Sequence, residues 1–255
     1  MKITFLGTGT SQGVPVIGCE CEVCTSVDFK NQRTRCAIMF ETKGKNIVID
    51  VGTDFRQQIL RERIKKVDAV LITHEHKDHT GGLDDIRPFN FMHKMDMPVF
   101  ARASVCKQLR VEYSYIFKKD PYPGAPRVTL NEIINKPFTV EGINIQPIEG
   151  LHYKLLVFGF RIDNFSYITD MNKISDEELK KIEGTKVLVI NALQKEDHPS
   201  HFKLDEALAI ITKINPNQAY LTHLSHRMGL HDEIEKELPK NVKIAFDGLQ
   251  HIIEN

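Results

Sequence analysis

Short apolar runs alternate with turn signals and amphipathic stretches from one end of the chain to the other. Residues 2–6 read as a strand that runs into a glycine-rich loop at 7–13. Residues 37–42 and 46–51 flank Lys43-Gly44-Lys45, a hairpin signal. Residues 55–64 place Phe55, Ile59, Leu60 and Ile64 at helical spacing, and 67–73 is a dense apolar run of the kind a buried strand needs. Residues 103–117 predict a helix. Strands follow over 138–148, 155–162 and 165–169, with Asp163-Asn164 turning between the last two. Helix 175–182, strand 186–191, helix 204–214, strand 218–222, helix 231–238 and strands 242–246 and 249–253 complete the pattern. The Pro/Gly-rich stretch 118–127 reads as a surface loop, and residues 92–97 follow no recognisable pattern. No linker, repeat or low-complexity tract divides the chain, so residues 1–255 are expected to form one domain. Strands this apolar need cover on their outer faces as well as against each other, which predicts an α/β (α+β) layered sandwich.

Composition narrows the possible functions. Of 255 residues, 41% are hydrophobic and 27% charged, and 34 Lys+Arg balance 34 Asp+Glu. A net charge of zero excludes a broad basic face for gripping long nucleic acid. No apolar run approaches the roughly 18 residues of a membrane helix, and residues 1–13 do not make a signal peptide. The expected location is the cytoplasm. Two oddities remain: 11 His with no Trp, and three of five Cys within six residues (Cys19, Cys21, Cys24). An odd cysteine count without an export signal points to metal rather than disulfides.

The sharpest feature is Thr73-His74-Glu75-His76-Lys77-Asp78-His79-Thr80-Gly81-Gly82 after the apolar run. A turn leaving a strand end aims His74 and His76 to one side and Asp78 and His79 to the other. Neutral imidazoles and a carboxylate suit Zn²⁺ or Mn²⁺, and two diverging pairs suit two adjacent ions. Distant ligands must complete the shells. His152, Asp170 and His223 each directly follow apolar β-type sequence, so they project from a sheet edge where binding groups collect.

This set resembles the metallo-β-lactamase superfamily over residues 2–253. The resemblance implies a four-layer αββα sandwich with a dinuclear site between its sheets. One ion would take His74, His76 and His152, the other Asp78, His79 and His223, with Asp170 bridging; Asp50 would orient a ligand His without binding metal.

The thiolates Cys19, Cys21 and Cys24 on a short loop (about 18–26) lack a fourth partner. His226, three residues beyond His223, is the candidate that closes a tetrahedral structural Zn²⁺ site. A Cys-x-Cys-x-x-Cys loop with His223-Leu224-Ser225-His226 is similar to the phosphonate-utilisation (PhnP-like) cyclic phosphodiesterase group. That likeness implies hydrolysis of small phosphodiesters such as phosphoribosyl cyclic phosphate or 2′,3′-cyclic nucleotides. It also implies a protonated His201 near the leaving group, with Asp78, Asp170 and His201 as the catalytic residues. The expected cofactors are two divalent catalytic ions (Zn or Mn) and one structural Zn. The expected partner is a small phosphodiester, with no membrane, no long nucleic acid and a plausible homodimer. A tRNA 3′-end endonuclease and a non-catalytic zinc-binding scaffold remain alternatives. The 7–13 loop lacks dinucleotide-motif spacing and reads as a tight turn whose backbone N–H groups can face a phosphate.

Overall fold

Alternate residues of the strands enter different apolar clusters, as a period of two requires. Ile38 and Phe40 pack with Phe158, Phe160 and Tyr167, whereas their neighbours Ala37 and Met39 pack with Val105 and Leu109. Val187 and Val189 join the first cluster, while Leu188 and Ile190 pack with Ala207 and Ile211. Three clusters therefore fill the spaces between four layers: helices, sheet, sheet, helices.

The structure is a computed structural model and describes residues 1–254. The first sheet holds β1 (Lys2–Gly7), β2 (Ala37–Thr42), β3 (Lys45–Ile49), β4 (Ala69–Leu71), β5 (Met97–Arg102) and β6 (Val128–Ile133). The second holds β7 (Phe138–Val140), β8 (Ile143–His152), β9 (Leu155–Ile162), β10 (Phe165–Ile168), β11 (Lys173–Ile174), β12 (Val187–Asn191), β13 (Gln218–Thr222) and β14 (Val242–Ile244). The last strand, β15 (Gln250–Ile252), returns to the first sheet and pairs antiparallel with β1, Lys2 facing Ile252. Helices α1 (Phe55–Arg61), α2 (Lys77–Thr80), α3 (Arg87–His93) and α4 (Ala103–Glu112) follow strands of the first sheet. The second is followed by α5 (Asp176–Lys180), α6 (Leu204–Ile214) and α7 (His231–Glu237).

Most elements lie where the apolar pattern puts them, and the exceptions have physical causes. Strand β5 carries Pro98, which cannot donate to a ladder. Strand β6 is an edge strand with half-exposed positions and no clean alternation. The helix over 103–117 ends at Glu112. The strand over 138–148 is broken at Glu141-Gly142, both with positive φ, and resumes to end at His152. Residues 118–127 form no regular element.

Strands β3, β4 and β5 run parallel, as do β10, β12 and β13. Their carboxyl ends gather along one edge, the usual place for a ligand crevice in parallel sheets. There the turn after β3 lies backbone to backbone on the His-rich loop: Val51 N–H donates to the His79 carbonyl and Gly82 N–H to the Val51 carbonyl, both at 2.8 Å. A Cβ on Gly52 would stand 1.9 Å from the Asp78 carbonyl oxygen. Gly52→Ala is therefore expected to destabilise by about 3 kcal/mol, a fall in Tm of about 6–12 °C. Gly44→Ala, at φ 72° in open space, pays only for its left-handed backbone, about 1 kcal/mol. Thermal melts of the two variants check this; equal melting temperatures would refute the close packing of the two loops.

Candidate active site

The structure brings His74, His76, Asp78, His79, His152, Asp170 and His223 to one cleft at that edge. Asp50, Asp170 and His223 each lie just past a strand and leave it in the left-handed region, at φ 68°, 56° and 57°. Such backbone costs about 1–3 kcal/mol per residue and persists only where its surroundings enforce it. Asn191, at the end of β12, supplies part of that enforcement. Its side chain accepts from Met171 N–H at 3.0 Å and donates to the Met171 carbonyl at 2.9 Å, fixing the turn that carries Asp170.

Three of the imidazoles, those of His74, His79 and His152, each set one nitrogen against a protein oxygen and leave the other for the cleft. His79 Nδ1 lies 2.7 Å from Asp50 Oδ2, and Asp50 also accepts from Thr73 N–H at 2.9 Å. His152 Nδ1 donates to the Ser200 carbonyl at 2.8 Å, and His74 Nδ1 lies 3.0 Å from Thr73 Oγ1. The other nitrogens of His74 and His79, and both of His223, are buried without a hydrogen-bond partner among the described residues. They are nonetheless close to carboxylates: His79 Nε2 is 3.1 Å from Asp78 and 3.3 Å from Asp170, and His223 Nδ1 is 3.2 Å from Asp170. Two N/O donors on one tetrahedral Zn²⁺ lie about 3.4 Å apart. Contacts of that length, without hydrogen-bond geometry, fit ligands facing a shared ion.

Donor atoms of His74, His76 and His152 lie within 4.8 Å of one another, as do those of Asp78, Asp170 and His223. Asp170 belongs to both halves, since it also groups with His74 and His79. Burial alone would discharge His79, but Asp78, Asp170 and Asp50 outweigh it and hold the imidazole well above its ordinary range. Burial likewise opposes ionisation of Asp170, and His223 and His79 overcome it, keeping the carboxylate charged.

His201 enters the same cleft, 92% buried, with Nδ1 3.7 Å from Asp170 Oδ1 and its ring 4.6 Å from that of His152. Burial, then the neighbouring His223, pushes its imidazole down to about 2. With no ion in the cleft, burial therefore works against the imidazolium that the resemblance implies for His201.

The cysteine loop meets His226 as spacing predicted. Cys19, Cys21 and Cys24 place Sγ at 3.3, 3.4 and 3.5 Å from His226 Nδ1. One nitrogen cannot hydrogen-bond three sulfurs at once, whereas S and N ligands of a tetrahedral zinc lie about 3.5 Å apart. Burial and the Val16 N–H act on Cys24 in opposite senses, and burial prevails. No role followed from sequence for the supporting Thr73, Asn191 and Ser200; Thr73 and Asn191 both carried the signal used elsewhere, a polar residue closing an apolar run.

The sequence profile of the Beta-lactamase superfamily domain matches residues 45–224. An octanoyltransferase of Porphyromonas gingivalis is 40% identical over the whole chain, which spans 52% of that relative's length. The crystal structure of a new diphosphatase from the PhnP family superposes with a TM-score of 0.93 at 35% identity, covering 99% of this chain and 98% of the other. Human tRNase Z, short form, shares the fold with a TM-score of 0.70 at 17% identity over both full chains.

Asp50→Asn, which keeps the size and removes the charge that orients His79, is expected to weaken divalent-metal retention 10–100-fold. Competition with a chromogenic chelator measures it, and unchanged affinity would remove Asp50 from the site. By its profile match and by its likeness along its full length to the diphosphatase, this chain belongs to the Beta-lactamase superfamily and, within it, to the PhnP family.

Proposed function

We propose that the chain hydrolyses small phosphodiesters. The observation that carries this reading is the pair of converging donor sets joined through the buried Asp170, beside a cleft edged by His201. Two divalent ions, when bound, would supply Lewis acidity toward phosphate oxygens and a water acidic enough to attack at neutral pH. The remaining work belongs to side chains. Asp170 sets the spacing of the two donor sets. Asp50, Thr73 and the Ser200 carbonyl fix ring orientations, so that no reorganisation is needed during reaction. His201 is placed to pass a proton to the departing oxygen. Burial disfavours the charged imidazole, so His201 takes that proton from solvent once the anionic substrate is bound and its charge raises the imidazole's basicity. Cyclic phosphates of ribose or of nucleosides fit this reading by the PhnP likeness.

The tRNA-processing reading shares the fold, but the chain's zero net charge offers no electrostatic grip on a long polyanion. Acyl transfer would call for an activated nucleophile in the cleft. The nearest thiol, Cys36, is buried against Tyr167 and Thr222, and burial pushes it up to about 11. The Cys loop is read as a structural zinc site, and loading is expected to reach about three metal equivalents per chain, with His226→Ala losing one.

Turnover of bis-p-nitrophenyl phosphate and of a 2′,3′-cyclic nucleotide is expected, lost on chelation and restored by Zn²⁺ or Mn²⁺, without 3′ trimming of a pre-tRNA. His201→Ala should cost about 10²–10⁴-fold on the cyclic nucleotide and much less with p-nitrophenolate, which leaves unaided. Asp170→Ala should cost more on both. Pre-tRNA trimming without cyclic-ester turnover would overturn the reading, and an undiminished His201→Ala would remove the proton donor.

A further inference from the structure

Beneath the donors of the second sheet lies a group of buried polar side chains that the apolar pattern gives no reason to expect. The register of β10, β12 and β13 aligns Ile168, Ile190 and Leu221, and one step further along stand Thr169, Asn191 and Thr222. Asp170 and His223 follow the two threonines directly. Tyr167 and Tyr220 pack in the cluster between the sheets, so by the period of two Thr169 and Thr222 point into the same space. There they meet Cys36, which stands just ahead of β2 in the first sheet. Its Sγ lies 3.2 Å from Tyr167 Oη, 3.3 Å from Thr222 Oγ1 and 3.8 Å from Thr169 Oγ1. All four side chains are buried.

Three hydroxyls and a thiol inside an apolar layer cost free energy that aliphatic side chains would avoid, and they persist where they satisfy one another. Here they do more, because the chain of contacts ends on the carboxylate shared by the donor sets. Thr169 Oγ1 donates to Asp170 Oδ2 at 2.6 Å. A hydroxyl has one proton, and a carboxylate at that distance holds it more strongly than a thiol at 3.8 Å can. Thr169 therefore turns its lone pairs to Cys36. The two oxygens of Asp170 are thereby told apart. Oδ2, held by Thr169, faces His79 Nε2 at 3.3 Å and His223 Nδ1 at 3.2 Å, while Oδ1 faces His201 Nδ1 at 3.7 Å. Rotation of the carboxylate about its own axis would exchange them, and the Thr169 hydroxyl opposes that rotation.

We propose that Cys36 is a positioning residue of the active site: from the first sheet it holds the Thr169 and Thr222 hydroxyls of the second, and through them the turns that present Asp170 and His223. It touches none of the reacting atoms and does not act as a nucleophile. The inference rests on the cleft holding divalent cations, as the proposed function requires, and extends the set of groups that set the spacing of their donors to the opposite sheet.

The test measures Zn²⁺ retention by competition with a chromogenic chelator on the full chain, in wild type, Cys36→Ala, Cys36→Ser, Thr169→Val and Cys106→Ala. Cys106, equally buried but in the outer cluster with Sγ on the Ala101 carbonyl, is the packing control. Cys36→Ala and Thr169→Val should weaken retention of the two cleft equivalents 10–100-fold. Cys36→Ser, which keeps a hydrogen-bonding group, should stay near wild type. Cys106→Ala should melt lower and bind as wild type does. The equivalent at the cysteine loop should remain in every variant and so report a folded chain. Wild-type retention in Cys36→Ala, or a Cys36→Ser as weak as Cys36→Ala, would overturn the proposal; if Cys36→Ala does not fold, Thr169→Val with wild-type retention does so. Ester turnover does not enter this comparison, so a wild type that holds its cations but cleaves no phosphodiester would sink the phosphodiesterase reading alone.

Discussion

A carboxylate and several imidazoles crowded into one buried space constrain everything else in this structure. Asp170 is 98% buried and lies within 3.7 Å of three imidazole nitrogens drawn from three different elements. Carboxylates and ring nitrogens this close need positive charge between them, from a proton on His79 or from a bound cation, and burial deepens the cost of leaving it out. Binding of cations to the folded state alone would therefore both fill the cleft and stabilise the chain. The left-handed residues that close β3, β10 and β13 are tolerable because two sheets, packed through Phe158, Phe160 and Tyr167, hold them from both sides.

Why so much of the site was legible follows from where it sits. A polar residue that ends an apolar β run has few places to go except the sheet edge, and His152, Asp170 and His223 obey that rule. The pairing of His226 with the cysteines was legible because a three-residue offset from His223 reverses the direction of a side chain leaving a strand. Strands β5 and β6 were not, since Pro98 and the half-exposed edge erase the alternation that marks a strand. The ionisation of His201 was out of reach for a different reason: a sequence names the imidazole but not the depth at which it is buried. Backbone roles, such as the Ser200 carbonyl on His152 or the His79 carbonyl on Val51, leave no residue signature because any side chain provides the same atoms.

The two donor clusters are mechanically one unit. His223 belongs to the buried set and His226 to the sulfur set, and between them Leu224 bridges to Gly9, with its N–H on the Thr8 carbonyl at 2.9 Å. The glycine-rich loop is therefore clamped to the strand end that carries His223, and the cysteine loop is clamped to the same short segment. This makes the sulfur cluster a brace for the cleft wall rather than a separate ornament.

The pairing of β15 with β1 has a kinetic consequence. Lys2 meets Ile252, and the Met1 amino group donates to the Ile253 carbonyl at 3.0 Å, so the first sheet is sealed by residues some 250 positions apart. Closing a loop of that size costs entropy before any contact repays it, and contacts of such separation slow folding. The cleft itself draws donors from residue 74 to residue 223, so neither half of the chain can assemble it. The complete donor set therefore exists only after both sheets have met.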